Sequence, residues 1–399
     1  MTQTIEPNAL QALQERIDTA ADAGALAAAA GALLARLAAV APPLNETSEI
    51  TSAISALNDR VTQRAAALVA TEMGVDLSRA CWLAFGSQAR GEQTLITDQD
   101  NGLVFAPAGG PRAASHIEPP PEGGFEHEIE GGGEGELEAQ RAQWLAFGQR
   151  VNDLLALCGY PLCEGRIMAG QPLCCLTRGE WCRRFSHWLA HGDGNDLFAA
   201  RIYFDLRPLA GHAALAQPLL ALLHSRAAAL PRFIKQLADI VLCKPVSLGW
   251  RGQVVTTPYQ GREMFDLKLS GTALFVDAAR LWALAHRLPE VGTVPRLRAA
   301  AQAMRVPARE LQDWIDGFQA LQALRLHIQR GRFAIPREAH ERTGPLQGAA
   351  VAAPLARPDA SERAWVPWAE LDTLQRESLK HALRAARVVQ QRIELDYCR

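Results

Sequence analysis

Neither sign of charge dominates this chain. Its 41 Lys and Arg nearly balance 43 Asp and Glu, for a net charge of −2, and aromatic residues make up only 6%. The arginines are scattered rather than striped. The basic surface with interleaved aromatics that marks a nucleic-acid binder is therefore missing, and nucleic acid is not expected as a partner. The start of the chain lacks a basic segment followed by an apolar core. Glu6, Glu15 and Asp18 come early instead, which argues against a secretory signal. Long hydrophobic runs are also scarce. Gly24 to Ala41 is apolar but mostly alanine, and it contains Arg36, so it reads as a helix of a soluble protein and not as a membrane span. The eight cysteines show no regular framework and no Cys-x-x-Cys pair. Free thiols in a reducing cytoplasm are expected rather than disulfides or zinc. The cluster Cys158, Cys163, Cys174, Cys175 and Cys182 reads as small buried apolar residues. His187 and His191 read as a helix end that favours imidazolium.

What is present is ample core. At 399 residues, with 48% hydrophobic and 21% charged residues, the chain has the composition of a globular protein of two or three domains. Its chemistry concentrates in WLAFGSQARGEQTLITDQDNGLVF, residues 82–105. Trp82 to Phe85 is a short apolar run that predicts a buried strand. Gly86-Ser87 ends it, a polar segment carrying Arg90 follows, then Asp98-Gln99-Asp100, then a second strand-like run, Leu103 to Phe105. Side chains alternate along extended backbone, so Asp98 and Asp100 point the same way and repel each other. A hard divalent cation between them, Mg²⁺ or Mn²⁺, removes that repulsion, and Mg²⁺ suits one or two carboxylates completed by water and substrate phosphates. Gly86 allows backbone to approach a phosphate. Ser87 offers a hydroxyl and an N–H at the same place, and the Arg90 guanidinium is suited to holding a triphosphate.

Gly86-Ser87 followed by Asp98-x-Asp100 resembles the signature of the polymerase-beta-like nucleotidyltransferases. The fuller string GSQARGEQTLITDQDNGLVF resembles one branch, the DUF294-type nucleotidyltransferases, relatives of the protein-PII uridylyltransferase and glutamine-synthetase adenylyltransferase. The resemblance continues through SAISALNDRVTQRAAALVATEMG, CEGRIMAGQP and RGEWCRRFSHWL. It implies an α+β fold: a small mixed sheet with helices, plus an all-α C-terminal domain that binds a substrate. The expected division is an N-terminal helical region over 1–72, a nucleotidyltransferase-like domain over 73–195, and a helical domain over 196–399. The superfamily usually adds a third carboxylate, as metal ligand or general base. Glu164, at the start of a strand expected over Cys163 to Ala169, and Asp205, in FDLRPLAG, are the candidates.

Helical periodicity predicts helices over Asn45–Thr71, Arg141–Leu157 and most of the chain beyond Asp196, including 197–211. VSLGWRGQVVT (246–256) reads as a hairpin. Residues 265–288 read as an apolar helix after a turn bearing Lys268. Residues 107–140, rich in Gly, Pro and Glu, cannot bury enough surface to offset chain entropy and read as a mobile insertion. A second loop-rich interval spans Ala334 to Val366. Arg207 and Lys268 are candidates to supply charge to a nucleotide across a cleft.

The function these features favour is transfer of a nucleoside monophosphate from a nucleoside triphosphate to an acceptor hydroxyl. The resemblance implies that the acceptor is a regulatory protein in signal transduction. The rival from another class is a nucleotide-sensing or protein-interaction module with little or no turnover, favoured by the poorly defined third carboxylate. Transfer to a small polycation is a third reading, and it requires an acidic cleft.

Overall fold

A computed structural model describes residues 7–39, 47–107, 134–259, 261–333 and 364–398. Most of the 107–140 insertion and of the 334–366 interval therefore lies outside the described residues. The chain opens with α1 (Pro7–Asp18), α2 (Ala23–Ala39) and the long α3 (Thr47–Met73). Strand β1 (Ala80–Phe85) follows, then the single-turn helix α4 (Gly86–Arg90) and β2 (Asn101–Phe105). Helix α5 (Glu134–Leu157) leads to β3 (Cys175–Thr177), α6 (Arg178–His191), α7 (Gly194–Ala200) and β4 (Leu206–Gly211). The four strands form one mixed sheet in the order β3-β2-β1-β4. Strand β1 runs antiparallel to both neighbours, and β2 runs parallel to β3.

Every residue of β1 is buried, and the pleat explains why its sequence reads as one apolar run. Ala80, Trp82 and Ala84, with Leu103 and Phe105 of β2, enter a core shared with Val61 and Ala65 of α3 and Phe147 and Val151 of α5. Cys81, Leu83, Phe85 and Val104 point the other way, into a core with Trp181, Phe185 and Phe204. A strand covered by helices on both faces is apolar throughout and does not alternate.

Two expectations are corrected here. Cys163 to Ala169 is not a strand; it forms turns, and β3 lies at Cys175–Thr177. The stretch 197–211 is not all helix, because β4 within it pairs with β1, Leu206 opposite Phe85. The sheet thus draws on both sides of the expected boundary at 195/196. Short strands without their own alternation carry little periodic signal, and long-range pairing decides them. Helix α5 also starts earlier than Arg141, at Glu134.

The remaining chain is a helical bundle: α8 (Gln217–Arg226), α9 (Pro231–Leu242), α10 (Ala273–Ala285), α11 (Thr293–Ala303), α12 (Ala308–Phe333) and α13 (Thr373–Tyr397). It is not wholly helical. Strands β5 (Thr257–Tyr259), β6 (Arg262–Asp266) and β7 (Trp365–Pro367) form a small antiparallel sheet, and Leu248 and Val254 make an isolated bridge in the expected hairpin. Between β6 and α10 lies a one-turn π-helix, Lys268–Thr272. Asp266 Oδ1 orders it by accepting the N–H groups of Lys268 (2.9 Å) and Leu269 (2.8 Å). None of the eight cysteines is in a disulfide. Among the described residues no single helix is long and apolar enough to cross a membrane; one bent pair, Ala213–Ala229 with Pro231–Leu242, passes by length and composition alone.

Candidate active site

The turn after β1 sets the geometry. Gly86 has φ +54°, a left-handed conformation that a side chain strains. A Cβ there would also stand 3.1 Å from Asp100 Oδ2 and 3.2 Å from Ile202 Cγ1. The motif glycine therefore makes room for the motif aspartate. Two backbone bonds lock the junction: Phe85 N–H donates to Asp100 O (2.9 Å), and Gly86 N–H donates to Asp205 O (3.2 Å). Gly91, also left-handed at φ +69°, ends α4 after Arg90.

Asp98 and Asp100 precede β2 in extended backbone, and the alternation expected from DQDN holds. The two carboxylates and the Cys163 thiol bring their ligand atoms within 4.8 Å of one another. The intervening side chains bury themselves on the other side. Gln99 Nε2 donates to the carbonyls of Asn152 (3.0 Å) and Tyr160 (2.8 Å), while Asn152 Nδ2 donates to Gln99 Oε1 (2.8 Å) and Asn101 Oδ1 (3.0 Å). Asn101 Oδ1 also accepts Ala169 N–H (2.8 Å), and Asn152 Oδ1 accepts Gly170 N–H (3.1 Å). One buried asparagine on α5 thus ties the aspartate loop to the Cys163–Gly170 turns. Among the described residues, neither Asp98 nor Asp100 forms an ion pair with Lys or Arg. Burial first, and Asp98 second, push the Asp100 carboxyl up to about 7. Burial likewise pushes the Cys163 thiol up to about 12. Two crowded carboxylates without a cation are suited to a hard divalent ion.

Asp205 is placed differently from a free base. It is fully buried and held by three guanidiniums: Arg280 (2.9 and 2.6 Å), Arg90 (2.6 Å) and Arg296 (2.5 Å). Burial alone would raise its pKa, but Arg280, Arg296 and Arg90 hold its carboxyl well below the usual range. Arg90 also donates to Glu92 Oε2 (2.7 Å), Glu92 Oε1 accepts Thr293 N–H (2.5 Å) at the start of α11, and Arg280 donates to Asp277 (2.6 Å). Three arginines face three carboxylates, so the network joins the sheet to α10 and α11. Arg207 braces α4 from below, donating to Asp59 Oδ2 (2.6 Å) and Gln88 O (3.1 Å). Glu164 is exposed.

The pocket above these groups has a volume of about 330 Å³. Gly86, Ser87, Arg90, Asp98, Asp100 and Lys268 all line it; Glu164, Asp205 and Arg207 do not. Its far wall comes from the helical half and includes Arg280 and Arg325. Helix α12 grips the loop between Arg90 and Asp98. Gln322 Nε2 donates to Glu92 O (3.3 Å), and Gln329 Oε1 accepts Ile96 N–H (3.0 Å). Sequence reasoning missed Cys163 as a neighbour of the aspartates, and Arg280 and Arg325 as pocket groups. The signal for the arginines is a charge at a position of an apolar helix where neighbours three and four residues away are buried, as in FVDAARLWALA. Of the cysteine cluster, Cys158, Cys174, Cys175 and Cys182 are buried, while Cys163 joins Asp98 and Asp100 in the candidate metal-ligand group found among the described residues.

A small mixed sheet with helices on both faces, joined to a helical C-terminal domain around this pocket, defines an α+β nucleotidyltransferase architecture. Comparison with known families agrees. Residues 31–195 match the family described as "Putative nucleotidyltransferase DUF294", and residues 231–344 match "Putative nucleotidyltransferase substrate binding domain". The chain belongs to the DUF294 nucleotidyltransferases. No curated protein matches it.

Proposed function

We propose that the protein transfers a nucleoside monophosphate from a nucleoside triphosphate to an acceptor hydroxyl. The reading is carried by one observation: two crowded carboxylates, Asp98 and Asp100, stand without an ion-paired cation beside Gly86, at the mouth of a pocket whose other wall is basic. Asp98 and Asp100 would hold Mg²⁺ or Mn²⁺, which would supply positive charge against the donor's phosphates. Ser87, Arg90 and Lys268 orient the triphosphate. The acceptor oxygen attacks the α-phosphorus in line, the bond from that phosphorus to the bridging oxygen breaks, pyrophosphate leaves, and the hydroxyl proton passes to water. Asp205 acts through Arg90 and Arg280, fixing their positions, and takes no proton from the acceptor. The pocket carries both signs, Arg90, Arg201, Lys268, Arg280 and Arg325 against Glu92, Asp98, Asp100 and Asp277, and is not the acidic cleft a polycationic acceptor requires. The likeness to protein-modifying relatives and the substrate-binding match support a regulatory protein as acceptor, in signal transduction. The eight free thiols support a reducing, cytoplasmic setting.

One observation favours the rival reading, a nucleotide sensor without turnover. The third group beside the aspartates is a thiol, and no free carboxylate joins them among the described residues. Release of pyrophosphate from a nucleoside triphosphate in the presence of Mg²⁺ separates the two. The transferase reading expects release that disappears in Asp98→Ala; tight nucleotide binding with no release supports the sensor.

A further inference from the structure

We propose that the helical half builds the polyphosphate subsite of this pocket, with Arg325 of α12 as its central ligand; this rests on the nucleotide-binding reading above.

Arg325 lies between two residues whose work is already done. Gln322 and Gln329 sit three residues before and four after it on the same face of α12, and both bond the loop that carries the aspartates. That face is pinned to the loop, and Arg325 between them lines the pocket. Its own bonds are thin. Nη1 donates to Gln322 Oε1 (2.7 Å), Nη2 makes a long contact to Thr94 Oγ1 (3.5 Å), and Nε is out of solvent with no partner. Among the described residues no carboxylate forms an ion pair with it, whereas Arg90, Arg280 and Arg296 all bind Asp205.

A guanidinium partly withdrawn from water with no ion-paired carboxylate is costly to a fold. Burial, and Arg90 after it, push this one down to about 10, against the pull of the more distant Asp266, Glu92 and Asp98. Such a group persists when a ligand supplies the missing charge. Lys268, exposed on the π-turn, lines the same pocket and has no ion pair among the described residues. Arginine's planar fork matches phosphate oxygens, while lysine contributes a point charge. With Asp98 and Asp100 across the pocket, the anion that fits is one that also carries a divalent cation: the polyphosphate of a nucleotide. The donor then bridges the sheet and the bundle.

The test uses the full chain and inorganic tripolyphosphate with Mg²⁺, titrated by calorimetry, together with thermal melting. Arg325→Met is expected to weaken tripolyphosphate binding about tenfold or more, the loss of one charge-assisted hydrogen-bonding group. Arg325→Lys is expected to recover part of it. The melting temperature of Arg325→Met without ligand is expected to hold or rise, because the unpaired charge is gone. A structural arginine would do the opposite on both counts. Unchanged tripolyphosphate affinity in Arg325→Met overturns the inference, and so does its failure to fold. Mn²⁺ binding without phosphate tests the underlying reading separately. If Asp98→Asn/Asp100→Asn leaves Mn²⁺ affinity unchanged, the metal site fails; if it abolishes Mn²⁺ binding while Arg325→Met leaves tripolyphosphate alone, only the Arg325 subsite fails.

Discussion

Gly86 answers two demands at once, a left-handed backbone and an empty volume against Asp100 Oδ2. Gly86→Ala is expected to cost about 1–2 kcal/mol from the backbone alone. It should also displace Asp100, so Mn²⁺ affinity measured by calorimetry should fall by more than the loss of stability explains. Asp100 itself gives a pH dependence. Its folded pKa, raised to about 7, stands above the usual carboxylate range. Without metal, ionising it opposes folding: the folded state is favoured by this group below the unfolded value, and that advantage is lost as pH rises through about 7. Asp100→Asn should therefore raise the melting temperature of the metal-free protein above neutral pH. The metal requires the carboxylate, so Mn²⁺ affinity in wild type should fall as pH drops below 7, approaching about tenfold per pH unit for one linked proton. A flat profile from pH 5.5 to 8 would contradict this placement of Asp100. Asp205 behaves oppositely, being ionised throughout. Asp205→Asn leaves the buried Arg296 without a carboxylate and takes one from Arg90 and Arg280, and it is expected to cost about 3–5 kcal/mol in denaturant unfolding.

At the scale of elements, the aspartate loop is held by α5 more than by its own strand. Asn152 satisfies Gln99, Asn101 and the Gly170 N–H together. Asn152→Leu leaves Gln99 Oε1 and the Gly170 N–H without this partner, while Asn101 Oδ1 keeps Ala169 N–H; with about 1–3 kcal/mol for each unsatisfied buried group a loss of about 2 kcal/mol or more is expected. Hydrogen exchange in residues 98–101 should accelerate in the same variant; unchanged exchange would mean that the loop is held elsewhere. The close packing of α5 on the Cys163–Gly170 turns points the same way. A Cβ on Gly148 would stand 2.5 Å from the Ala169 carbonyl, so the helix backbone itself forms the contact. None of this is legible in a linear pattern. Asn152 sits in an amphipathic helix as an ordinary polar residue, and only the fold brings it against Gln99 and Asn101. β1 and β2 were legible as short unbroken apolar runs flanking the motif, and the long helix α3 by its strong apolar period. β3 and β4 were not, since CLT is only three residues, LRPLAG is neither an apolar run nor alternating, and their pairing partners lie far along the chain.

The whole molecule is two bodies of structure around one pocket. Sequence motifs identified the sheet side of it: Gly86, Ser87, Arg90, Asp98 and Asp100 do share a wall, and Lys268 faces them from the bundle. They did not identify the bundle side, because a buried arginine such as Arg280 or Arg325 looks in sequence like any charge on a helix. Asp205 shows the reverse error. An aspartate at a sheet edge near the motif reads as a third carboxylate, until three guanidiniums are found to occupy it. The same three arginines couple the sheet to α10 and α11, so nucleotide binding and the relative position of the halves should be linked. The most direct test is calorimetric titration of ATP, UTP, CTP and GTP, with and without Mg²⁺, into wild type and Asp98→Ala/Asp100→Ala. One nucleotide should bind only with Mg²⁺, and its binding should vanish in the double variant. Equal binding by both proteins, or no nucleotide bound by wild type, would contradict the account.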